Sequence, residues 1–412
     1  MNGKLLYNPP AMRKVIAILL TVLAYAPGAH ATSARSVSLL GSPLVPDDTD
    51  LFLYPGAMGF HRDLVVLDLG VDPFTGDGGI LIGLGRFTIG AWAHRTDSFE
   101  AEAGIPPDLE EMMSLYSTGG TPLQFQIPAR LFDLLFAAEI MRGVHVGLDL
   151  FLSHSFWRDR DGSGDTSVLS GENAFTIGSV LGLSARRASF RNDVSFELAW
   201  NYVRDVTSDV LAARTGPNPC FSISDRLIVG EGHRLGWGLF ALLTRREYGI
   251  EMPAAGERWG GSRWIFRVGG GPRVEVFPYL VATLEIFSQA DLTLLDPLWE
   301  PPEDDADGEP GPTNWQRWNV LVPGVRIAAE VRPATWVRLR AAVEDQYRLN
   351  WQDDTNSMTT NNLFTWSLGL GFAYKGFAFD AAVAQELFLR GPYIITGNTS
   401  GFLSSVSVSY EW

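Results

Sequence analysis

Residues 364–383 read FTWSLGLGFAYKGFAFDAAV, and large apolar side chains occupy every second position of this stretch. They run from Phe364 to Tyr374, with small or polar residues between them. The pair Lys375-Gly376 interrupts the alternation, which resumes at Phe377. A period of two residues is typical of a β-strand whose two faces meet different environments. The stretch therefore predicts two antiparallel strands joined by a tight turn.

The same alternation recurs along most of the chain. It is found in residues 144–153, 193–202, 337–344 and 402–412, and no helical pattern interrupts it. A soluble β-sandwich would also alternate, with its apolar side turned inward. Repetition over the whole length instead favours a closed barrel with a lipid-facing outer wall. We therefore predict an all-β protein, a transmembrane antiparallel β-barrel.

The composition agrees with a membrane barrel. The chain has 412 residues, a net charge of -15, 19% charged and 12% aromatic residues, 43 glycines and a single cysteine. These numbers exclude a disordered polymer, a nucleic-acid binder that relies on basic charge, a disulfide scaffold and a zinc–cysteine module. Few charges with many glycines and aromatics are typical of a large membrane barrel.

The N-terminus has the pattern of an export signal. Met12-Arg13-Lys14 is basic, residues 15–26 are apolar, and Ala29-His30-Ala31 provides the small residues of a cleavage site. We therefore predict a signal peptide over residues 1–31, with a possible translation start at Met12. The apolar run is too short for a spanning helix, which needs about 20 residues.

The connections between strands alternate in length. Short links are expected at Gly85-Arg86, Met141 to Gly143, Pro333-Ala334 and Lys375-Gly376. Long polar links are expected at residues 96–121, 158–171, 206–219, 291–313 and 352–361. Short periplasmic turns and long outer loops are typical of outer-membrane barrels. The count is about 14 strands, or about 16 if Ser222 to Glu231 is a strand, each of roughly 10 membrane-spanning residues.

The last strand adds a more specific signal. Its alternating residues Val406, Val408 and Tyr410 lead to a terminal aromatic, Trp412. In this the chain resembles bacterial outer-membrane β-barrel proteins, porin-like in architecture, although that family more often ends in Phe. The resemblance implies that these four residues form the signal for the barrel-assembly machinery, and that the protein lies in the outer membrane of a Gram-negative cell.

A weaker similarity involves residues 47–56, which read DDTDLFLYPG. The acidic stretch and the following segment are similar to the N-terminus of long-chain fatty-acid transporter-like barrels. Tyr54-Pro55-Gly56 stands here in place of their Asn-Pro-Ala. The resemblance implies that residues 32–61 form a periplasmic or inner segment, a candidate plug, and that residues 62–412 form the barrel.

Charged residues at lumenal positions of the strands are candidates for setting selectivity in a transport path. An equally good interpretation is that they form ion pairs that fill the barrel. The cations are Arg267, Arg273, Arg326, Arg338, Arg340 and Arg348, and the acids are Asp193, Glu197, Glu275, Glu285, Glu330 and Glu344.

One outer loop carries a possible cation site. Asp159, Asp161, Ser163 and Asp165 occupy alternate positions, with Gly162 and Gly164 between the last three, in a pattern that suits Ca²⁺. The acid that would complete an EF-hand loop is replaced by Ser170, so a solvated polar turn is favoured. No other cofactor is predicted.

The function that the sequence favours is passage of small molecules across the outer membrane, and the fatty-acid-transporter-like version would carry hydrophobic ones. The alternative is a closed structural or partner-docking barrel, which bulky lumenal residues such as Phe151, Tyr279 and Phe287 would favour. An outer-membrane lipase or protease is less favoured, because Ser153 and His154 are strand neighbours that point to opposite faces. The expected partners are membrane lipid, the assembly machinery and an unknown small substrate, without nucleic acid, and no catalytic residue is predicted.

Overall fold

The protein is a closed antiparallel β-barrel in a computed structural model. The structure describes residues 33–46, 49–70, 76–95, 130–161, 168–207, 210–252, 257–276, 279–297, 315–352, 357–383 and 403–412. The strands are β1 Leu64–Gly70, β2 Gly76–Leu84, β3 Phe87–Arg95, β4 Arg130–Met141, β5 Val144–Asp161, β6 Val168–Arg187, β7 Phe190–Thr207, β8 Val210–Thr215, β9 Asn218–Val229, β10 Leu235–Met252, β11 Glu257–Val276, β12 Leu280–Pro297, β13 Trp315–Ala334, β14 Val337–Gln352, β15 Ser357–Tyr374, β16 Phe377–Val383 and β17 Leu403–Glu411.

Sixteen of the described strands form the wall. Each pairs with its neighbour in sequence, and β1 pairs with β17 from Leu64 opposite Glu411 to Gly70 opposite Ser405, which closes the circle. The remaining strand, β8, pairs only with the far ends of β7 and β10. The segment predicted as a strand from Ser222 to Glu231 is indeed part of the wall, as β9. The higher of the two predicted strand counts is therefore the one observed.

The two faces of the wall separate as the alternation predicts. Large apolar residues such as Leu239, Ile286 and Ile327 face outward and are more than half exposed. Small or polar residues such as Ser407 and Ser409 face inward and are buried. An apolar exterior around a polar interior is the arrangement that lipid requires of a closed barrel.

The short links are tight hairpins at one end of the barrel, which we call the turn end. At Lys375-Gly376 both residues have positive φ, 47° and 80°, the conformation of a two-residue hairpin turn whose twist matches the strands. The turn predicted at Pro333-Ala334 was placed two residues too early. Ala334 pairs with Val337, so the tip is Thr335-Trp336.

The strands are longer than the predicted ten residues, and several reach 18 or 20. Parts of the links predicted as loops are therefore strand: β5 extends to Asp161, β12 to Pro297, and β15 begins at Ser357. The outward-facing apolar residues form a belt around the wall, which we call the apolar band. Hydrogen bonding between neighbouring strands continues beyond this band, where the polar side chains no longer show the alternation by which strands were predicted.

Three short helical elements precede the wall. They are α1 Ser33–Ser38, α2 Asp50–Leu53 and a 3₁₀ helix at Pro55–Phe60. No helix among the described residues is long and apolar enough to cross a membrane. We refer to residues 33–60 as the N-terminal segment. The predicted signal peptide, residues 1–31, lies outside the described residues.

A charge placed on the outer face tests the membrane-spanning assignment. Ile286 is 56% exposed on β12, several residues from the turn end. Ile286→Arg is expected to lower the free energy of unfolding by about 2–4 kcal/mol in lipid vesicles, because the guanidinium would enter the apolar band. Urea titration of the refolded protein measures the change. The matched control is Tyr279→Arg, since Tyr279 lies in a turn and is 61% exposed; equal losses in both variants would contradict the assignment.

Candidate functional site

The N-terminal segment lies inside the barrel against lumenal side chains. Its residues Leu51, Ala57 and Met58 are fully buried although they belong to no strand. At one end of the segment, the backbone amide of Ala34 donates a hydrogen bond to Ser407 Oγ of β17 at 2.9 Å. At the other end, the ring of Phe60 packs edge-on against His145 of β5, with centroids 4.6 Å apart. The segment therefore contacts separate parts of the wall.

Two glycines of the wall let the segment backbone approach closely. A Cβ added at Gly147 of β5 would lie 2.1 Å from the carbonyl carbon of Pro55. One added at Gly182 of β6 would lie 2.7 Å from Pro55 Cδ. A Cβ added at Gly56 of the segment would lie 2.6 Å from the backbone nitrogen of Ser184. The backbone of the N-terminal segment therefore touches the backbone of the wall here, and there is no room for a side chain at these three glycines.

The first ionic attachment is the Arg226 network, formed by Asp50, Arg191, Asp193 and Arg226. Arg226 of β9 is fully buried and donates to Asp193 of β7 at 2.7 Å and to Asp50 of the segment at 2.7 Å. It also donates to the carbonyl of Pro43 at 3.2 Å. Its guanidinium lies 4.7 Å from the ring centroid of Tyr54, a cation–π contact. One buried arginine thus joins three points of the segment to the wall.

The second attachment is the Arg326 network, formed by Ser42, Glu285, Arg326 and Glu344. Arg326 of β13 pairs with Glu285 of β12 at 3.2 Å and with Glu344 of β14. The hydroxyl of Ser42 donates to Glu285. Buried charges are tolerated when they are paired and hydrogen-bonded. Here the N-terminal segment supplies one of those hydrogen bonds, from Ser42 to Glu285.

The third attachment is the Glu330 network, formed by Arg35, Glu330, Arg332, Arg340 and Asp380. Glu330 of β13 accepts from Arg35 of α1 and from Arg340 of β14, both at 2.9 Å. Arg340 also pairs with Asp380 of β16, which extends the network along the wall. The three networks lie on β7 and β9, on β12 to β14, and on β13 to β16, so the segment is held from several sides.

The wall formed by β1 to β4 offers a different surface to the segment. Its lumenal side chains are mostly apolar where they meet Leu51 and Met58, and we call this surface the apolar sector. Phe52 adds an edge-on contact with Trp92, with centroids 5.0 Å apart. The wall residues of the apolar sector are Leu64, Val66, Leu81, Trp92, Leu135 and Ala137.

The structure places the predicted lumenal charges on inward-facing rows. Arg326 meets Glu285 and Glu344, Arg340 meets Glu330, Arg273 meets Glu275 at 2.5 Å, and Asp193 meets Arg226. Within the described part of the chain, Arg348 donates to Gln346 and not to an acid. Arg267 stacks over the rings of Phe240 and Phe287 at 5.7 and 4.7 Å. Arg338 and Glu197 lie on the same inward rows as Arg340 and Asp193.

Several residues of the networks were not predicted. Arg226 alternates with Ser222 and Ser224 on β9, a parity that marks it as lumenal once β9 is accepted as a strand. Arg35 and Asp50 lie in a segment without strand periodicity, so no sequence pattern pairs them with the wall. The lumenal assignment of Tyr279 was wrong, because the residue lies in the turn before β12 and is 61% exposed. Phe151 and Phe287 are inward and buried.

The predicted calcium residues fall at the end of β5 and beyond. The side chains of Asp159 and Asp161, with Ser163 and Asp165, lie outside the described residues. In the part of the chain that the structure describes, no group of three or more His, Cys, Asp or Glu side chains is placed to hold a metal ion. Ser153 is buried and His154 is exposed, so these neighbours do point to opposite faces.

The fold is that of the outer-membrane β-barrel proteins, with a lumen occupied by the protein's own N-terminal segment. No family model and no curated protein matches the chain. Among solved structures, it is similar to the Pseudomonas putida toluene transporter TodX, with 10% identity, a TM-score of 0.38, and coverage of 94% of this chain and 97% of that one. The translocator domain of autotransporter NalP from Neisseria meningitidis matches at 12% identity and TM-score 0.35, covering 77% and 98%. The siderophore receptor PiuA from Acinetobacter baumannii matches at 7% identity and TM-score 0.42, covering 78% and 56%.

Removing the shared arginine should release the segment. Arg226→Gln is expected to cost ~1.5–3 kcal/mol of unfolding free energy, because Asp193 and Asp50 each lose one charged donor and keep Arg191 as a partner. It should also expose the segment, measured by maleimide labelling of Ala57→Cys in a Cys220→Ser background. The control is Arg273→Gln, which breaks the pair with Glu275 on the same strand. Protection of the cysteine in both variants would contradict a holding role for Arg226.

Tyr54 offers a spectroscopic test of the same packing. Burial raises the pKa of Tyr54 to about 12, although the nearby Arg226 lowers it. The raised pKa contributes stability that is complete below pH 10, the unfolded value, and is lost as the pH rises towards 12. The phenolate absorbance of the wild type minus that of Tyr54→Phe should therefore appear only near pH 12. A difference that titrates near pH 10 would show that Tyr54 is not buried in solution.

Proposed function

We propose that the protein is an outer-membrane transporter for small molecules, in which the N-terminal segment closes the lumen at rest and moves aside for passage. The observation that supports the proposal most strongly is the attachment of this segment to the wall through three separate ionic networks. A segment that only filled space would be held most simply by apolar packing. Replacing buried ion pairs by apolar residues is often neutral or stabilising, so the charges suggest a role beyond stability.

The geometry of the networks supports a movable segment. Arg226, Glu285 and Glu330 each contact both the segment and a second wall residue. When the segment leaves, each of these wall groups keeps a wall partner of opposite charge: Asp193, Arg326 and Arg340. The uncovered lumen would then remain paired and polar, as a water-filled path requires.

The apolar sector favours a hydrophobic substrate within this proposal. An open aqueous lumen is polar, yet the wall residues of β1 to β4 that meet Leu51 and Met58 are apolar. With the segment displaced, they would offer an apolar strip beside the charged wall. We therefore propose that hydrophobic small molecules follow the apolar sector.

A closed structural or docking barrel is the second candidate. The buried lumenal rings of Phe151 and Phe287 favour it, because they reduce the open cross-section. Neither candidate assigns a catalytic step to the chain. For both, we propose that the last strand is read by the barrel-assembly machinery, since Val406, Val408 and Tyr410 lie on its outward row and Trp412 is 49% exposed.

Single-channel conductance in a planar bilayer separates the two candidates. The wild type should be nearly silent, whereas Arg226→Gln and Gly147→Ala should show stable openings of reproducible size. The first variant removes an ionic attachment and the second forces Pro55 off the wall. Arg273→Gln, the lumenal control, should remain as silent as the wild type. Silence in all variants, with the folded mobility on an unheated gel retained, would favour the closed barrel.

The substrate class needs its own measurement. Cells that express the protein should take up an apolar aromatic hydrocarbon faster than cells without it, and Leu135→Asn should reduce that uptake because it places an amide in the apolar sector. Uptake of a disaccharide serves as the polar comparison. Faster entry of the sugar than of the hydrocarbon would contradict a hydrophobic substrate while leaving the transport proposal intact.

A further inference from the structure

The turn end of the barrel carries exposed cations on a chain whose net charge is -15. They occur at five of the six short hairpins whose residues the structure describes in full. Among the described residues, no carboxylate forms an ion pair with any of them. We call this set the turn-end ring: Arg86, Arg142, Arg187, Arg234 and Lys375.

Each cation of the ring lies beside an exposed apolar residue of the outer wall. Phe87, Met141, Leu235 and Tyr374 are direct chain neighbours and are 57–62% exposed. Arg187 is paired across the hairpin with Phe190, which is 37% exposed. The ammonium of Lys375 lies 5.3 Å from the ring centroid of Tyr374. The cations therefore stand at the outer boundary of the apolar band and not in the mouth of the lumen.

Acids at the same end are used differently. Glu139 accepts from the backbone amide of Gly143 at 3.2 Å, and Glu275 accepts from that of Gly232 at 3.2 Å. Glu231 pairs with Arg186 at 2.9 Å and its side chain is only 14% exposed. These carboxylates satisfy hairpin amides and arginines close to the backbone. The exposed charge on the outer face, at the level where the apolar band ends, is therefore mainly positive.

We propose that the turn-end ring binds the phosphate groups of anionic phospholipids in the leaflet next to the turns. Long cationic side chains extend from apolar surface to the headgroup level, where anionic lipid attracts them. The distribution favours lipid over a soluble acidic partner, because the cations recur around the circumference whereas a docked protein would cover one sector. The proposal rests on the membrane-spanning fold and is independent of transport.

Lipid selectivity measured by electron spin resonance tests the ring directly. The probes are spin-labelled phosphatidylglycerol and phosphatidylcholine in vesicles that hold the refolded wild type. Phosphatidylglycerol should associate about three- to fivefold more strongly at low salt, and the preference should fall as salt rises. The combined variant Arg86→Gln, Arg142→Gln, Arg187→Gln, Arg234→Gln and Lys375→Asn should lose it; Asn is chosen because residue 375 has positive φ.

Two controls make the result specific. Lysine at the four arginine positions keeps the charge and should retain the preference. Arg245→Gln with Glu247→Gln removes an exposed ion pair ten or more residues along β10 from its turn, and should leave the preference unchanged. All variants should keep the folded mobility on an unheated gel, since the ring residues are exposed. A wild type without preference, or a neutralised ring that retains it, would overturn the proposal.

Discussion

Closure of the backbone hydrogen-bond circle is the constraint on which the rest of the structure depends. In hydrocarbon an unpaired amide or carbonyl costs several kcal/mol, so a sheet that crosses lipid must have no edge. The pairing of β1 with β17 removes both edges, and the amide of Trp412 extends the seam by donating to the carbonyl of Asp63 at 3.1 Å. Once the circle is closed, every second side chain points into an enclosed space, and what fills that space becomes the next physical problem.

The chain fills the lumen with charge, and charge must be paired there. Arg226, Glu285 and Glu330 lie almost without solvent exposure, and each has partners on the wall and in the N-terminal segment. Inside the closed circle, the segment is therefore more than a filler of volume, because it supplies Arg35, Asp50 and Ser42 to the networks. Glycines at 147 and 182 provide the matching shape by allowing backbone to rest on backbone.

The sequence predicted the wall better than its contents, for a physical reason. The outward rows are read from a local period of two, which lipid imposes on every strand, so the strands around Phe364 and Val406 were predicted correctly. The ends of the strands were not predicted correctly, because hydrogen bonding continues beyond the apolar band, where lipid no longer imposes a period of two on the side chains. The parity of Arg326 and Glu330 marks them as lumenal, but the choice of partner depends on register between strands. The contacts of Arg35 and Asp50 with the wall depend on tertiary packing alone.

The segment's two kinds of contact bear on how it would move under the proposed function. Ion pairs and charged hydrogen bonds depend strongly on distance and direction, so a shift of a few ångströms breaks those of Arg226 and Glu330 outright. Apolar contacts with β1 to β4 carry no direction and lose energy in proportion to the area uncovered. Sliding away from the apolar sector while the ionic contacts hold is thus the displacement with the smallest initial cost. It would uncover the apolar strip first, which is why a hydrophobic substrate and a segment held mainly by charge fit the same mechanism.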